Sequence, residues 1–368
     1  MKKYKICVYA ISKNEEQFVD RFMNSVKEAD AVYVLDTGST DKTVKKLKDR
    51  GAIVRKQKIT PWRFDVARNL SLQMVPEDAD ICVCLDLDEV LDKGWRKKLE
   101  NLWEQSTTRL RYNYNWSFDE NGTPAVNFYI EKIHIRDHYQ WTHPVHEILT
   151  YTGNQEIFQT TDEITVNHYP DPTKSRGDYL ALLELSVKEQ PEDDRNMHYL
   201  GREYMYYGRW NECIDTLIKH LNLKNANWKD ERSASMRFIA RSYQALHRTR
   251  EAKMWYDLAI QEAPYLRDPY VERALFEYRE GNFKEVETYA KQALKITTHE
   301  KTYINETFSW NETVYDLLSL SCFYQGKVEE ALQWVEKAIE MAPKDERLQK
   351  NKEIMEEIKK EKEQKKES

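Results

Sequence analysis

The sequence lacks several features that would assign it to familiar classes of protein. Its five cysteines are scattered, and only one residue separates Cys82 from Cys84, which is not the spacing of a zinc site. We interpret all five as reduced, mostly buried thiols of a cytoplasmic protein. No apolar run is long enough to cross a membrane, and the first apolar stretch, residues 6–11, is shorter than the core of a signal peptide.

Two further absences narrow the function. The net charge of −6, from 57 basic and 63 acidic residues, gives no overall basic field, so a nucleic-acid partner is not expected. The first predicted strand, residues 5–10, is followed neither by GxGxxG, which weighs against an NAD-binding domain, nor by GxxxxGK[ST], which weighs against a P-loop. The 368 residues are enough for about two domains.

The stretch 82–89 carries the strongest chemical signal. Its apolar first half predicts a strand buried on both faces, as in a largely parallel sheet. Three carboxylates follow, at the strand end where open α/β sheets bind ligands. Asp86 and Asp88 point the same way on an extended backbone, so their charges repel unless a cation lies between them. A divalent cation shared with substrate phosphates would serve, and the alternative is a solvated turn or a helix N-cap.

Strands and helices alternate over the first part of the chain. The predicted strands are residues 5–10, 31–35, 52–55 and 82–85, with helices between them and polar loops at the strand ends. This alternation predicts a Rossmann-like α/β sheet.

Four segments within residues 10–89 resemble motifs of glycosyltransferase family 2, whose members have the GT-A fold. They are, in order, AISKNEE at 10–16, VLDTGSTD at 34–41, FDVARN at 64–69 and LDLDE at 85–89. One such motif would be weak, whereas four in the expected order are specific. The resemblance implies a GT-A domain over residues 1–170.

The resemblance also implies how a nucleotide sugar would be held. Ser12 and Glu15, in the first loop, would lie beside the nucleotide. Asp36 matches an aspartate that binds uracil or ribose, and the alternative is a turn aspartate bonded to its own backbone. Arg68 matches a basic residue that contacts the base or the diphosphate, and the alternative is a surface ion pair with Asp65.

A metal site is implied at the end of the central strand. Asp86 and Asp88 match the DxD pair that holds a metal ion on the diphosphate of the donor, so Asp86 also counts as a donor-binding residue. His168 follows a last short strand and resembles the histidine that often supplies a third ligand in GT-A enzymes. The alternative for His168 is a structural hydrogen bond. A mixed oxygen and nitrogen site would suit Mn²⁺ at least as well as Mg²⁺.

Glu147 is the candidate catalytic base. The segment Val145-His146-Glu147 resembles the form that the base motif takes in several subfamilies of the family. The base would remove the proton of the acceptor as the new bond forms. His146 would orient Glu147 or contact the phosphates. The alternative is an ordinary glutamate–histidine pair on a strand.

Aromatic residues mark the half of the domain that, in such enzymes, usually faces the acceptor. Tyr112, Tyr114 and Trp116 alternate along a predicted strand and therefore share one face. Packing in the core and an aromatic platform for the acceptor both remain open for them.

From residue 171 the sequence predicts helices throughout. Four stretches fit the tetratricopeptide pattern of about 34 residues, and aligning Gly201, Ala240, Ala274 and Ser319 gives spacings of 39, 34 and 45 residues. Insertions are therefore expected near residues 225–230 and 297–310. Each repeat covers the apolar face of its neighbour, so the array predicts a solenoid.

The predicted solenoid would bind a peptide, pair with a second copy in a homodimer, or only brace the first domain. The expected repeat domain is 171–345, followed by a charged tail, 346–368, that is helical or disordered.

The predicted function is the metal-dependent, inverting transfer of a sugar from a nucleotide sugar, UDP-linked by preference. The layout is similar to that of bacterial glycocin peptide S-glycosyltransferases and of enzymes that modify lipopolysaccharide core or capsule. A peptide or protein side chain docked on the repeats, or a glycan, would be the acceptor. Two other classes stay open. One is a repeat scaffold with a vestigial first domain, and the other is a nucleotidyltransferase, which would normally show a glycine-rich basic loop after the first strand.

Overall fold

The structure, a computed structural model, describes residues 4–119, 122–171, 179–299 and 302–367. The chain divides into two compact units, which we call the N-terminal unit (Met1–Glu189 with Lys301–Tyr303) and the repeat unit (Gln190–Glu300 with Ile304–Ser368). The division predicted at residue 170 precedes a helix that groups with the N-terminal unit. Residues 172–178, just beyond that predicted division, lie outside the described residues.

The described part of the N-terminal unit contains ten strands and five helices. The strands are β1 (Ile6–Ser12), β2 (Ala31–Asp36), β3 (Ile53–Lys56), β4 (Ile81–Cys84), β5 (Glu89–Leu91), β6 (Arg109–Phe118), β7 (Pro124–Ile135), β8 (Tyr139–Thr142), β9 (Ile148–Tyr151) and β10 (Phe158–His168). The helices are α1 (Val19–Ser25), α2 (Thr43–Asp49), α3 (Phe64–Leu72), α4 (Trp95–Leu102) and α5 (Tyr179–Glu189).

Eight strands form one mixed sheet in the order β3-β2-β1-β4-β7-β6-β10-β5. The β3-β2-β1-β4 half is parallel, with Ser12 level with Asp36 and Ile6 level with Ile81. In the other half β7 is antiparallel to β4 and β6, and β5 is antiparallel to β10. The strands β8 and β9 pair separately as a hairpin. The predicted Rossmann-like α/β class is confirmed.

The strand β4 is buried on both faces, as the apolar run at 82–85 predicts, and its neighbour β1 is buried in the same way. On β1, Ile6 and Val8 pack into one hydrophobic cluster, whereas Cys7 and Tyr9 pack into the cluster on the opposite face. The side chains alternate because successive residues of a strand point to opposite faces. All five cysteines are free and buried.

The repeat unit is helical in the part that the structure describes. Its helices are α6 (Asp194–Tyr206), α7 (Trp210–Asn222), α8 (Lys229–Ala245), α9 (Thr249–Glu262), α10 (Asp268–Arg279), α11 (Phe283–Leu294), α12 (Thr313–Tyr324), α13 (Val328–Met341) and α14 (Glu346–Glu367), with a short 3-10 turn, Thr307–Ser309, before α12.

Four helix pairs, α6–α7, α8–α9, α10–α11 and α12–α13, form the four predicted repeats. The small residues of the predicted repeats lie where helices cross. A Cβ atom on Gly201 would come within 2.3 Å of the Leu217 side chain, and Ala240 and Ala274 are fully buried. The longest connection within the array, between α11 and α12, coincides with the insertion predicted at 297–310. The charged tail is the helix α14, which buries Leu348 and Met355. None of the described helices is long and apolar enough to cross a membrane.

Candidate active site

The carboxyl ends of β1 and β2 place Ser12 beside Asp36. Asp36 is fully buried and accepts hydrogen bonds from the Ser12 hydroxyl (3.2 Å) and from the backbone N–H groups of Gly38 (3.2 Å) and Ser39 (3.1 Å). The Ser39 hydroxyl also donates to it. Gly38 has a φ of +125°, which suits glycine. The turn geometry offered as the alternative for Asp36 is therefore present, and its contact with a nucleotide stays a prediction.

The loop after β1 is bonded to the loop after β2. The Glu15 N–H donates to Thr43 Oγ1 (2.7 Å), and the Glu15 side chain is buried. Asn14 has a φ of +54°, and its side-chain oxygen accepts from the Thr40 N–H (2.8 Å). These bonds fix the two predicted nucleotide loops against each other at the carboxyl edge of the sheet.

Arg68 connects the two carboxylates that are central to the predicted chemistry. Its guanidinium forms a bidentate pair with Asp86, with Nη1 2.9 Å from Oδ1 and Nη2 3.1 Å from Oδ2, and its Nε lies 2.5 Å from Glu147 Oε1. Arg68 is 4% exposed. The alternative pairing with Asp65 is wrong, because Asp65 pairs with Arg63 at 2.8 Å.

The helix α3 holds Arg68 in place through its neighbour. Asn69 donates to the Trp141 carbonyl and accepts from the Trp141 N–H, both at 2.8 Å, which fastens α3 to β8. The Trp141 ring also lies 5.2 Å from the Arg68 guanidinium, a cation–π distance. The Trp141 indole N–H donates to Tyr9 (2.9 Å), whose hydroxyl lies 2.8 Å from His134 Nε2. Trp141, Tyr9 and His134 thus form a chain of buried hydrogen bonds that starts at the ring packed against Arg68.

Asp86 has a second cationic partner that the sequence analysis missed. Lys132, on β7, places its ammonium group 3.3 Å from Asp86 Oδ2 and 2.9 Å from Glu89 Oε1. Burial alone would raise the pKa of Asp86, but Arg68 and Lys132 outweigh it and hold that pKa well below its usual value. Burial would lower the pKa of Lys132, but Glu89 and Asp86 raise it, so the ammonium stays charged.

Glu89 shapes the turn that carries the DxD pair. Its Oε2 accepts from the Asp86 N–H (2.9 Å), and its own N–H donates to the Asp86 carbonyl (3.0 Å). Its Oε1 accepts from the Tyr114 hydroxyl (2.8 Å), and Glu89 is 1% exposed. The third carboxylate of the motif is therefore a structural anchor.

Asp88 and His168 lie together, apart from the Arg68 and Lys132 contacts. His168 Nε2 is 3.5 Å from Asp88 Oδ2, while His168 Nδ1 lies 3.0 Å from the Trp116 carbonyl and donates to it. Burial would lower the pKa of His168, but the bond to Asp88 raises it. With Nδ1 carrying its proton, Nε2 and the carboxylate present lone pairs to each other. Only a positive species between them, a proton or a metal ion, makes that arrangement favourable.

The loop between β8 and β9 presents Glu147. His143 and His146 both have left-handed backbones, with φ of +76° and +49°. Such conformations cost about 1–3 kcal/mol each and persist where the surroundings enforce them. The His146 ring packs edge-on against Tyr179 at 5.8 Å. The strained loop sets the direction from which Glu147 reaches Arg68.

The predicted aromatic face divides into two parts. Tyr112 and Tyr114 are buried in the core, as one of the two interpretations expected. Trp116 is 48% exposed and stacks on His168 with ring centres 4.5 Å apart. Trp116 is therefore the member of this face that reaches solvent, beside the Asp88–His168 pair.

Comparison with known proteins assigns the N-terminal unit. Residues 7–154 match the family model of glycosyl transferase family 2. They form a family 2 glycosyltransferase domain. Residues 312–345, which include α12 and α13, match the model of the tetratricopeptide repeat. No curated protein matches the chain.

Solved repeat proteins resemble the chain only distantly. A thermophilic TPR protein of Thermus thermophilus is 22% identical over 48% of this chain and 88% of its own, with a TM-score of 0.36. MamA is 18% identical over 48% of this chain and 97% of its own, with a TM-score of 0.38. The protein pilF of Pseudomonas aeruginosa is 12% identical over 46% of this chain and 70% of its own, with a TM-score of 0.37. The repeat assignment therefore rests on the helix pairs and on the family match.

The glycosyltransferase domain brings only part of the predicted metal set together. Asp88 and His168 approach each other, and a histidine whose other nitrogen donates to a carbonyl is the usual arrangement at metal sites. Asp86 instead directs both carboxylate oxygens to Arg68, one of which also meets Lys132. The donor chemistry of Asp88 and His168 fits a metal ion, whereas Asp86 would have to exchange its ion pairs to join them.

A second cluster of possible ligands lies in the repeat unit. Among the residues that the structure describes, Glu287, Cys322 and Glu330 bring ligand atoms within 4.8 Å of one another. Lys291 already bonds to both carboxylates, at 2.6 and 2.7 Å, and Lys327 bonds to Glu287 at 2.6 Å, so two ammonium groups neutralise the two carboxylates. Burial raises the pKa of Cys322 to about 11, so this thiol is not a ready ligand.

Proposed function

We propose that the chain transfers a sugar from a nucleotide diphosphate sugar, UDP-linked by preference, to an acceptor with inversion at the anomeric carbon. The observation that carries the proposal is the connected line of groups from Glu147 through Arg68 to Asp86, at the end of β4 in a family 2 domain. It connects Glu147, which would activate the acceptor, to Asp86, which would face the leaving diphosphate.

On the donor side, Asp36, Ser12 and Glu15 would hold the nucleoside, since their loops are fixed at the carboxyl edge of the sheet. Arg68 and His146 would face the diphosphate. Asp88 and His168, with Asp86 after exchange of its ion pairs, would hold Mn²⁺ or Mg²⁺. The ion would neutralise the charge of the departing diphosphate.

On the acceptor side, Glu147 would act as the general base. Its Oε1 is occupied by Arg68, and its Oε2 has no hydrogen-bond partner among the described residues, so Oε2 is the atom available to the acceptor. As the acceptor atom bonds to the anomeric carbon, its proton passes to Oε2 and the carbon–oxygen bond to the diphosphate breaks. Nucleoside diphosphate leaves with the bonding electrons.

For the acceptor we propose a peptide or protein side chain, with the repeats as its docking surface. A glycan of the lipopolysaccharide or capsule type is the second candidate. A cytoplasmic location, a homodimer through the repeats and a functional division near residue 170 are part of the same proposal. The intact Asp86–Asp88 pair, Glu147 and His168 argue against a vestigial domain, because a domain without activity has no need to keep all four of these residues.

The test is thermal unfolding with UDP, with Mn²⁺, with both, and with both plus EDTA. A ligand at about 100 times its Kd adds roughly 2.7 kcal/mol, which moves the melting temperature by several degrees. Stabilisation by UDP that requires the metal supports the proposal, and a larger shift with GDP would change only the donor. No shift with any nucleotide would favour the scaffold. Pyrophosphate release from UTP and a sugar phosphate would instead identify a nucleotidyltransferase.

A further inference from the structure

Lys132 is a charged residue of the candidate active site to which the donor, metal and base assignments give no role. It lies on β7 one residue before Ile133, which pairs with Val83 of β4, so its side chain reaches the carboxyl end of β4. Its ammonium group lies 3.3 Å from Asp86 Oδ2 and 2.9 Å from Glu89 Oε1. Asp86 is thus the residue at which this lysine meets the predicted metal ligands.

The two cations on Asp86 differ in how firmly they are held. Arg68 binds both oxygens of Asp86, at 2.9 and 3.1 Å, and is also bonded to Glu147. Lys132 makes a single, longer contact with Asp86, and its shorter bond to Glu89 does not depend on that contact. The Lys132 side chain is 15% exposed, against 5% for Arg68. Because a bidentate guanidinium is the stronger partner of a carboxylate, Lys132 is the cation that Asp86 can release.

The charge of Lys132 bears on when a metal ion can bind. Three carboxylates meet in this network, those of Asp86, Glu89 and Glu147. Two cations face them, Arg68 and Lys132. An ammonium group on Asp86 repels a divalent cation that approaches the same carboxylate. A nucleoside diphosphate brings negative oxygens, which can accept a hydrogen bond from the three-donor ammonium group. Metal binding at Asp86 should therefore depend on the nucleotide.

We propose that Lys132 is a donor-binding residue that Asp86 exchanges for the metal ion. When the nucleotide and Mn²⁺ or Mg²⁺ bind, the metal ion replaces the ammonium group at Asp86. The ammonium group keeps its bond to Glu89 and donates to the diphosphate. The exchange couples the binding of the metal to the binding of the nucleotide. The contact with the diphosphate rests on the proposed function, whereas the competition between Lys132 and a metal ion for Asp86 does not.

The test measures two affinities of the full chain. Binding of Mn²⁺ alone is followed by the electron paramagnetic resonance signal of the free ion, and binding of UDP with Mn²⁺ by titration calorimetry. Lys132→Gln removes the charge and keeps a donor for Glu89. We expect this variant to bind Mn²⁺ alone more tightly by about tenfold, and UDP with Mn²⁺ more weakly by about tenfold. Lys132→Arg keeps the charge and should not gain affinity for Mn²⁺ alone. Lys98→Gln, the same change at a lysine of α4 paired with Asp92, is the matched control and leaves both affinities unchanged.

The opposite signs of the two changes separate this role from a structural one, because a variant that only loosened the site would weaken both ligands. Adding Asp86→Asn to Lys132→Gln should abolish the gain for Mn²⁺, which would assign that gain to Asp86. An unchanged or weaker affinity of Lys132→Gln for Mn²⁺ alone overturns the inference, as does an equal gain in Lys98→Gln.

The measurement with Mn²⁺ alone needs no nucleotide, so the inference and the proposed function can fail separately. Tighter Mn²⁺ binding in Lys132→Gln, without UDP binding to the wild-type chain, refutes the proposed function and leaves Lys132 as the competitor of the metal ion. UDP–Mn²⁺ binding to the wild-type chain, with no gain for Mn²⁺ in Lys132→Gln, refutes the exchange alone. UDP–Mn²⁺ binding that is equally tight in the wild-type chain and in Lys132→Gln refutes the contact with the diphosphate.

Discussion

Both units bury arginines in ion pairs, but the carboxylate partners of these arginines differ in how much of their surface is exposed. In the repeat unit Arg237 is fully buried, and its partner Glu272 is 3% exposed. In the N-terminal unit Arg68 is only 4% exposed, yet the side chain of its partner Asp86 is 31% exposed. Carboxylates raise the pKa of both arginines against the effect of burial. Burial and a raised pKa are therefore common to both arginines. What differs is the partly exposed Asp86 at the end of the Glu147–Arg68–Asp86 network, which we call the open network.

The most direct test of this comparison is to replace one carboxylate in each network. Glu272→Met leaves Arg237 without its close partner in the core, so we expect a loss of about 3–5 kcal/mol of unfolding free energy with the UDP–Mn²⁺ shift retained. Asp86→Asn leaves Arg68 paired with Glu147, and the side chain at position 86 is partly exposed to water, so we expect a smaller loss of stability together with loss of the shift. Urea denaturation and thermal unfolding measure both. The reverse pattern would contradict the comparison.

Glu147→Gln tests the acceptor end of the open network. Glutamine still accepts from Arg68 Nε but cannot take a proton, so sugar transfer should fall by about 10²–10⁴-fold while the UDP–Mn²⁺ shift stays. The rate of transfer is measured as the release of nucleoside diphosphate. Glu156→Gln, the same change at a residue paired with Arg109, is the control and leaves the rate unchanged. A rate unaffected in Glu147→Gln would exclude it as the base.

Low pH should lower the unfolding free energy of the glycosyltransferase domain, because His134 is buried in its neutral form. Burial lowers the pKa of His134 to about 3, whereas an unfolded histidine has a pKa of about 6.5. A depressed pKa gives stability that is complete above 6.5 and is lost as pH falls towards 3. At pH 5 the loss is about 2 kcal/mol. His134→Gln should be less stable at pH 7 but flatter between pH 7 and 5, as urea denaturation would show. An unchanged slope would exclude His134 as the source.

The smallest expected effect concerns left-handed residues in the two units. Gly208, Gly281 and Gly326 have φ of +69°, +75° and +78° after the first helix of three repeats, and His247 takes this place in the remaining one at +57°. His247→Gly should stabilise the chain by up to about 1 kcal/mol, because glycine removes the Cβ clash at some entropic cost. Transfer activity should not change. Thermal unfolding and transfer assays measure the two effects.

His146 provides the contrast within the open network, since it is also left-handed but adjoins Glu147. His146→Gly relieves the same strain and should nevertheless lower transfer. If His146→Gly stabilised the chain without loss of activity, the loop between β8 and β9 would be no more functional than the turns of the repeats.

The sequence predicted features that depend on local pattern, and it missed those that depend on distant partners. The apolar run of β4 and the carboxylates after it are local, and both lie where they were expected. Lys132 carries no local mark, because its partners Glu89 and Asp86 are 43 and 46 residues away in the chain. The contact of Arg68 with Glu147 spans 79 residues. The pairing of β7 with β4 brings Lys132 to Asp86, and the bonds between α3 and β8 bring Arg68 to Glu147.

The central claim is that the open network at the end of β4 is a nucleotide–metal site. Titration calorimetry of UDP, with and without Mn²⁺, into the wild-type chain and into Asp88→Asn tests it most directly. We predict one UDP site per chain that requires Mn²⁺ and that is weakened by about 10–100-fold in Asp88→Asn. UDP binding that ignores both the metal and the substitution, or no binding of any nucleotide, would contradict the account.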